Sequence, residues 1–340
     1  MKTAYDASVR HAVYVERLKA QAIKDIMRKL SPLMREIFTT VAASDLENLT
    51  RRQVQSLNAQ LERTIRDGYE PVVSEIDGLL KDFGFYEAGW QGDMLQKTGL
   101  IVELGIASDA DIWAAVNARP FNGKLLREWL KGLSAGTRKR VREAITQGYT
   151  DGLGAIDVAR QLRGTRSRKG ILDMSARGAE AMVRTAFNHT SSVAREQTYS
   201  ANPTIIAEQW VAVLDHRTTP ICQSRDGKFY KRGKGPRPPA HINCRSTMVP
   251  VTNSNKARLE NRKTYNGWLK AQSAETQDDI LGKTKGRLYR KGDLTVDRFT
   301  NRAGQEYTLD QLRAKDADAW AETFGDDSVK EAIQKNTDRG

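Results

Sequence analysis

Gln209-Trp210-Val211-Ala212-Val213-Leu214 is the stretch where the chain changes period. Just upstream, Ala179, Met182, Val183, Ala186, Val193 and Ala194 recur at helical steps and give residues 175–199 the apolar face of a strong helix. Residues 209–214 read instead as a strand, with Trp210–Leu214 a short apolar run. Gly227-Lys228-Phe229-Tyr230 reads as a second strand, and Cys244–Val251 as a third. A long helix followed by a few short strands predicts an α+β fold, predominantly α-helical, with a small β-sheet module near residues 205–251.

Upstream the chain is helical. Val15, Leu18, Ala22, Ile26 and Leu30 predict one helix over 4–30, ended by Ser31-Pro32. Leu46, Leu49, Val54, Leu57, Leu61, Ile65, Val72 and Ile76 predict a second over about 45–80. The aromatics and glycines of 82–120 suggest short helices and turns. Helix returns over 123–148, Thr150–Gly154 breaks it, and Ala155–Leu162 forms a short helix. Gly164-Thr165-Arg166-Ser167-Arg168-Lys169-Gly170 reads as a loop. Three regions follow: a helical N-terminal region (1–150), a core of helix plus small sheet (151–253), and a polar, irregular C-terminal tail (254–340). The tail should carry short helices near 264–282 and 308–322, and its last dozen residues should fray.

The chain has 340 residues, enough to bury a sizeable core, and a net charge of +13. That balance favours a polyanionic partner. No stretch approaches the roughly 20 apolar residues of a membrane span, and the N-terminus lacks the apolar centre of a signal peptide. A cytosolic, non-secreted protein with no membrane partner is the expectation, and in a reducing cytosol a disulfide between Cys222 and Cys244 is not expected.

The chemistry concentrates in residues 184–250. Arg184-Thr185 and Asn188 lie on the helix. Trp210, Asp215-His216-Arg217-Thr218, Cys222 and Asp226-Gly227 follow, and Pro238-Pro239-Ala240-His241-Ile242-Asn243-Cys244-Arg245-Ser246 closes the segment. Taken as residues alone, Cys222, His241 and Cys244 are three soft or borderline metal ligands. His-x-x-Cys is a workable chelating step, and Asp215 is the best fourth candidate, with His216 behind it. Three readings stay open: a structural Zn2+ that staples a small, loop-rich unit, buried thiols beside a hydrogen-bonded His241, or a catalytic zinc. Asp215, Arg217 and Arg245, together with Arg184, are candidates for a structural ion-pair network, since the arginine fork suits a carboxylate. The alternative for Arg217 is simple exposure.

The ordered set of motifs resembles the Mu F-like family of phage head-morphogenesis (minor head) proteins. Tyr265–Gln272, Gln277–Gly282, Leu288, Gly292, Phe299 and Thr308-Leu309 are similar to the segment that follows the core in its members. The resemblance covers about residues 130–315. Ser246 stands where many members carry a second cysteine. The resemblance implies a phage minor head protein in the virion, in the inner head or portal region, present in the host cytoplasm during assembly. The implied partners are the portal protein and other capsid or scaffold components, with a role in assembly and in DNA packaging or ejection.

Two other functions were weighed. One is a non-specific DNA-binding virion protein ejected with the genome. Residues 217–237 hold seven Lys/Arg against one acid, and Arg225, Lys228, Lys231, Arg232, Lys234 and Arg237 form a run that can follow a phosphate backbone. Residues 134–195 are basic too, with twelve Lys/Arg against five Asp/Glu. Trp210, Phe229 and Tyr230 read as core residues rather than stacking platforms. The other is a zinc-dependent nuclease, from a faint similarity of His241-Ile242-Asn243 to HNH nucleases. No phosphate-binding loop and no nucleophile elbow is present, no catalytic residue is assigned, and the expectation is a non-enzyme.

Overall fold

The structure is a computed structural model and describes residues 3–165 and 167–325. It is predominantly helical with one three-stranded sheet. The chain forms two compact units. One runs to Thr204 and adds Arg237–Cys244. The other holds Ile205–Pro236 and the residues from Arg245 on.

The first unit is built on three long helices. α1 (Ala4–Ala42) starts at a capping box, in which Thr3 caps the Asp6 amide and Asp6 returns to Thr3. α2 (Arg51–Lys97) starts the same way with Thr50 and Gln53. α6 (Ile171–Ser200) is the third. Between them lie α3 (Asp109–Ala118), α4 (Leu126–Thr150) and α5 (Ala155–Arg163). Buried residues on α1 step through Val15, Ala22, Ile26, Leu30, Leu33, Ile37 and Val41, and on α2 through Val54, Leu61, Ile65, Tyr69, Val72, Ile76 and Leu80. These stripes join residues of α4, α5 and α6 in one hydrophobic core.

Both long helices exceed the sequence expectation. α1 does not stop at Ser31-Pro32 but carries Pro32 inside it, and α2 carries Pro71. An interior proline removes one ladder bond and costs about 3 kcal/mol. Leu33, Ile37 and Val41 are buried beyond Pro32, and each contributes roughly 1.5–3 kcal/mol of burial. Packing therefore outweighs the break. Likewise residues 82–97, expected as short helices and turns, continue α2, because Phe83, Glu87, Gln91, Met94 and Leu95 carry the buried face on by three- and four-residue steps. Two of those residues are polar, so the stripe is not visible as hydrophobicity.

In the second unit β1 (Ala207–Val211) is central, with β2 (Phe229–Lys231) and β3 (Thr247–Val251) antiparallel on either side. Gln209 faces Phe229 on one side and Val249 on the other. The strands are shorter than their apolar runs. After Val211 the chain leaves the ladder, and α7 (Pro220–Arg225) stands between β1 and β2. Pro250 is tolerated in β3, a flanking strand of this sheet. The stretch after residue 254 contains α8 (Lys256–Glu260), α9 (Tyr265–Lys270), α10 (Ala274–Leu281), α11 (Lys283–Lys291), α12 (Leu309–Lys315) and α13 (Ala317–Phe324), so short helices stand near 264–282 and 308–322 as expected, with α8 and α11 in addition. Tyr265, Leu269, Leu288, Tyr289, Leu294, Val296, Phe299 and Leu312 form a second core there. The last dozen residues, expected to fray, lie outside the described residues. No described helix is long and apolar enough to cross a membrane.

Candidate metal centre and its supports

α6 is the shelf on which the closing segment is built. Its residues 185–196 are almost all buried, polar ones included. Thr185 Oγ1 accepts the Asn243 amide (2.9 Å), and Asn188 Nδ2 donates to the Cys244 carbonyl (2.9 Å). At the other end of the segment the buried Arg237 guanidinium lies 4.0 Å from Glu196. The Pro238-Pro239 bond is cis. The His-x-x-Cys step is a tight turn. The Cys244 amide donates back to the His241 carbonyl (3.2 Å), and Asn243 takes φ 60° between them. Asparagine is among the few residues that adopt this left-handed conformation readily.

Ring tautomer follows from the turn. His241 Nδ1 lies 2.8 Å from the Ile242 carbonyl oxygen, which can only accept, so Nδ1 carries a proton. Beneath the turn, Lys19 is buried and paired with Glu16. Burial holds the Lys19 ammonium below the usual lysine range, and Arg184 adds to this, while Glu16 and Cys244 oppose it.

Cys222 lies in α7, which opens with Pro220 at its first turn, and both cysteines are buried and outside any disulfide. His241 and Cys244 flank the turn, and Cys222 is the other described residue grouped with them as a possible metal ligand. Two thiols and an imidazole are a donor set that suits zinc. Among the described residues, this group has those three members. Asp215 is differently engaged. Its carboxylate accepts two 2.7 Å bonds from the Arg245 fork, the Thr218 hydroxyl at 3.1 Å and the Arg217 amide at 3.1 Å. The Arg245 bonds are the main reason its carboxyl is held below the usual carboxylate range. Three of the four bonds fall on Oδ1 and one on Oδ2. His216 is exposed.

The remaining candidates are dispersed. The Arg217 side chain is mostly exposed, with Nε 3.9 Å from Asp215. Arg184 pairs with Glu180 (2.9 Å) on α6 and lies 3.9 Å from Glu16 on α1. In the basic run, Arg225 stacks over Trp210 at 5.3 Å and Lys228 lies 3.4 Å from Asp297. Arg237 is buried against Glu196 and so does not present its charge to solvent. Lys231 and Lys234 are exposed, and Arg232 is half-buried.

Arg262 went unnoticed in the sequence, where it is one more cation in a polar stretch. It organises the second unit. Its guanidinium donates to Asp226 (2.7 Å), Gln209 (2.8 Å) and the Trp210 carbonyl (2.8 Å). Asp226 also accepts the amides of Ala212 and Tyr265, each at 2.7 Å. The pair is buried, so the Asp-Gly turn, β1 and α9 share one polar hub. The only sequence signal was the Asp226-Gly227 motif, which gives no hint of its partner.

Residues 139–249 match the family model described as Phage Mu protein F like protein. Over this segment the chain is similar to the Mu F-like proteins of phage head morphogenesis. No curated protein and no solved structure matches the chain. The Mu F-like segment runs from within α4 to β3. It includes Thr185, Asn188, Cys222 and the His-x-x-Cys turn, and it ends before Arg262.

Proposed function

We propose that this Mu F-like protein is a minor head protein that joins the phage head at the portal, contacts other capsid or scaffold components, and acts in DNA packaging or ejection. The observation that carries this reading is the family match over residues 139–249. The basic net charge of +13 suits a protein that works beside packaged DNA. Co-purification with the portal protein of the same phage, in the presence of a nuclease, tests it. Stoichiometric portal binding that survives DNA removal is expected. Binding that disappears with the DNA would remove the portal from the account.

Zinc held by Cys222, His241 and Cys244 is part of the same proposal, as a structural staple. When bound, the metal would supply cross-linking that a small sheet and a loop-rich segment lack. The chain's own contribution is to hold the turn on α6 through Thr185 and Asn188, and to orient the His241 ring through its Nδ1 bond to the Ile242 carbonyl. Elemental analysis of the purified protein should give about one zinc per chain. The His241→Ala protein should give much less. Metal-free wild-type protein, or retention of the full content in the variant, would discard the staple.

A further inference from the structure

A second basic feature lies away from the Cys/His group, in the first unit. A cavity of about 450 Å³ opens between the end of α5 and the start of α6. Arg160, Arg168 and Lys169 line it, with Thr165, Ile171 and Met174. Arg160 shares its charge with Asp157 at 2.9 Å. Arg168 and Lys169 are exposed and have no ion-pair partner among the described residues. This contrasts with Arg225, Lys228 and Arg237, which are engaged by Trp210, Asp297 and Glu196.

The loop that presents these cations is closed on itself. Gly164 and Lys169 form an isolated antiparallel bridge. The Thr165 amide donates to the Arg168 carbonyl (2.7 Å), and the Arg168 amide donates to Thr165 Oγ1 (3.1 Å). The ends are pinched to a width that only glycine allows. Gly164 takes φ +84°, and a Cβ there would sit 2.3 Å from the Gly170 nitrogen. A Cβ on Gly170 would sit 2.2 Å from the Arg163 carbon. Arg168 and Lys169 thus stand next to a backbone bridge and two hydrogen bonds that tie them to Gly164 and Thr165. The α6 amides that begin at Gly170 lack a side-chain cap and add donors, partly offset by Asp173 in the first turn.

We infer that the cavity lined by Arg160, Arg168 and Lys169 is a phosphate-binding site that takes the backbone of duplex DNA. The inference rests on the reading of the chain as a DNA-handling head protein. Cations and hydroxyl or amide donors around an open cavity are the chemistry of backbone contact. The lining offers no aromatic platform, so the site follows the duplex without reading its bases.

The test is fluorescence anisotropy of a labelled duplex with the full chain, across a series of salt concentrations. Arg168→Glu/Lys169→Glu is the variant. Lys131→Glu/Lys139→Glu, which changes two exposed cations of α4 by the same total charge, is the control. The loop variant should bind roughly tenfold or more weakly, with a log–log salt slope smaller by about 2, because each lost phosphate contact removes about 0.9. The control should retain most of its affinity. Equal losses in both variants, an unchanged slope, or no binding by the wild type would each overturn the inference. A milder Arg168→Gln/Lys169→Gln variant gives the same readout if the charge reversal fails to fold. Portal co-purification separates the two readings. Portal binding lost in the loop variant with DNA binding intact would assign the loop to an acidic protein surface, and the DNA site falls. Portal binding absent in the wild type, with the loop effect on DNA present, would sink the portal reading alone.

Discussion

Glu87 Oε2 lies 2.7 Å from His11 Nε2, while its Oε1 accepts Arg195 at 2.7 Å and Gln91 at 2.9 Å, all with no exposure of the carboxylate. Burial alone would raise its pKa. The Arg195 charge and the bonds from His11 and Gln91 outweigh burial and hold it down to about 2. Since the folded value lies below the unfolded one near 4.5, this group stabilises the fold above that pH, and the contribution is lost as pH falls toward 2. His189 acts in the same direction over a higher range. Burial lowers its pKa from 6.5 to about 4, against the opposing bond to the Val116 carbonyl. The unfolded imidazole takes its proton first, so stability drops as pH falls from 6.5 to 4, by about 3 kcal/mol. Urea melts between pH 7 and 3 should therefore show a steady loss. His189→Gln, which keeps a donor but cannot ionise, should flatten the upper part. Glu87→Gln should cost about 3–5 kcal/mol at pH 7, because it strands the Arg195 charge. A wild-type profile unchanged by either substitution would exclude both groups as its cause. In the sequence Glu87 is one more charged helix residue. Its partners His11 and Arg195 lie 76 and 108 positions away, and nothing local announces them.

At the scale of elements, periodicity carried most of the fold. The stripes of α1, α2, α4 and α6 were readable because their apolar residues recur at helical steps, and the sheet because the period changes at Gln209. What periodicity could not weigh was competition. At Pro32 the local rule that proline ends a helix loses to buried Leu33, Ile37 and Val41. In 82–97 the helix is carried partly by Glu87 and Gln91, whose burial depends on distant hydrogen-bond partners. After residue 254 the short helices near 264–282 and 308–322 were legible, but not their shared core, which takes only one or two residues from each element. The candidate site divides in the same way. The types and spacing of Cys222, His241 and Cys244 marked them as a group. Asp215 looked like a fourth ligand by type, but its oxygens go to Arg245. Arg237 looked like part of an exposed basic run, yet Glu196 holds it in a buried pair. A sequence shows which groups carry charge, whereas the fold decides which of those charges are already answered.

At the scale of the whole molecule, the two cores are formed by separate stretches of chain, one drawing its members from Val15 to Val193 and the other from Tyr265 to Leu312. A fragment ending at Thr204 keeps every buried residue of the first core and all six of the helices α1–α6. It also keeps the Glu87 network, whose members all precede residue 204. It lacks Cys222, His241 and Cys244, so it carries no part of the proposed zinc group. The fragment should fold on its own, because a core of this size is sufficient for a domain of about 200 residues. Far-ultraviolet circular dichroism should show a helical spectrum and one cooperative thermal transition. A metal chelator should leave that transition in place, and it should lower the melting temperature of the full chain, since removing a ligand that binds only the folded state destabilises it by mass action. A fragment that aggregates or melts without cooperativity would mean that the helical core depends on Arg237–Cys244 clasped to Thr185, Asn188 and Glu196. In that case those contacts are a condition of folding rather than a support added to a stable shelf.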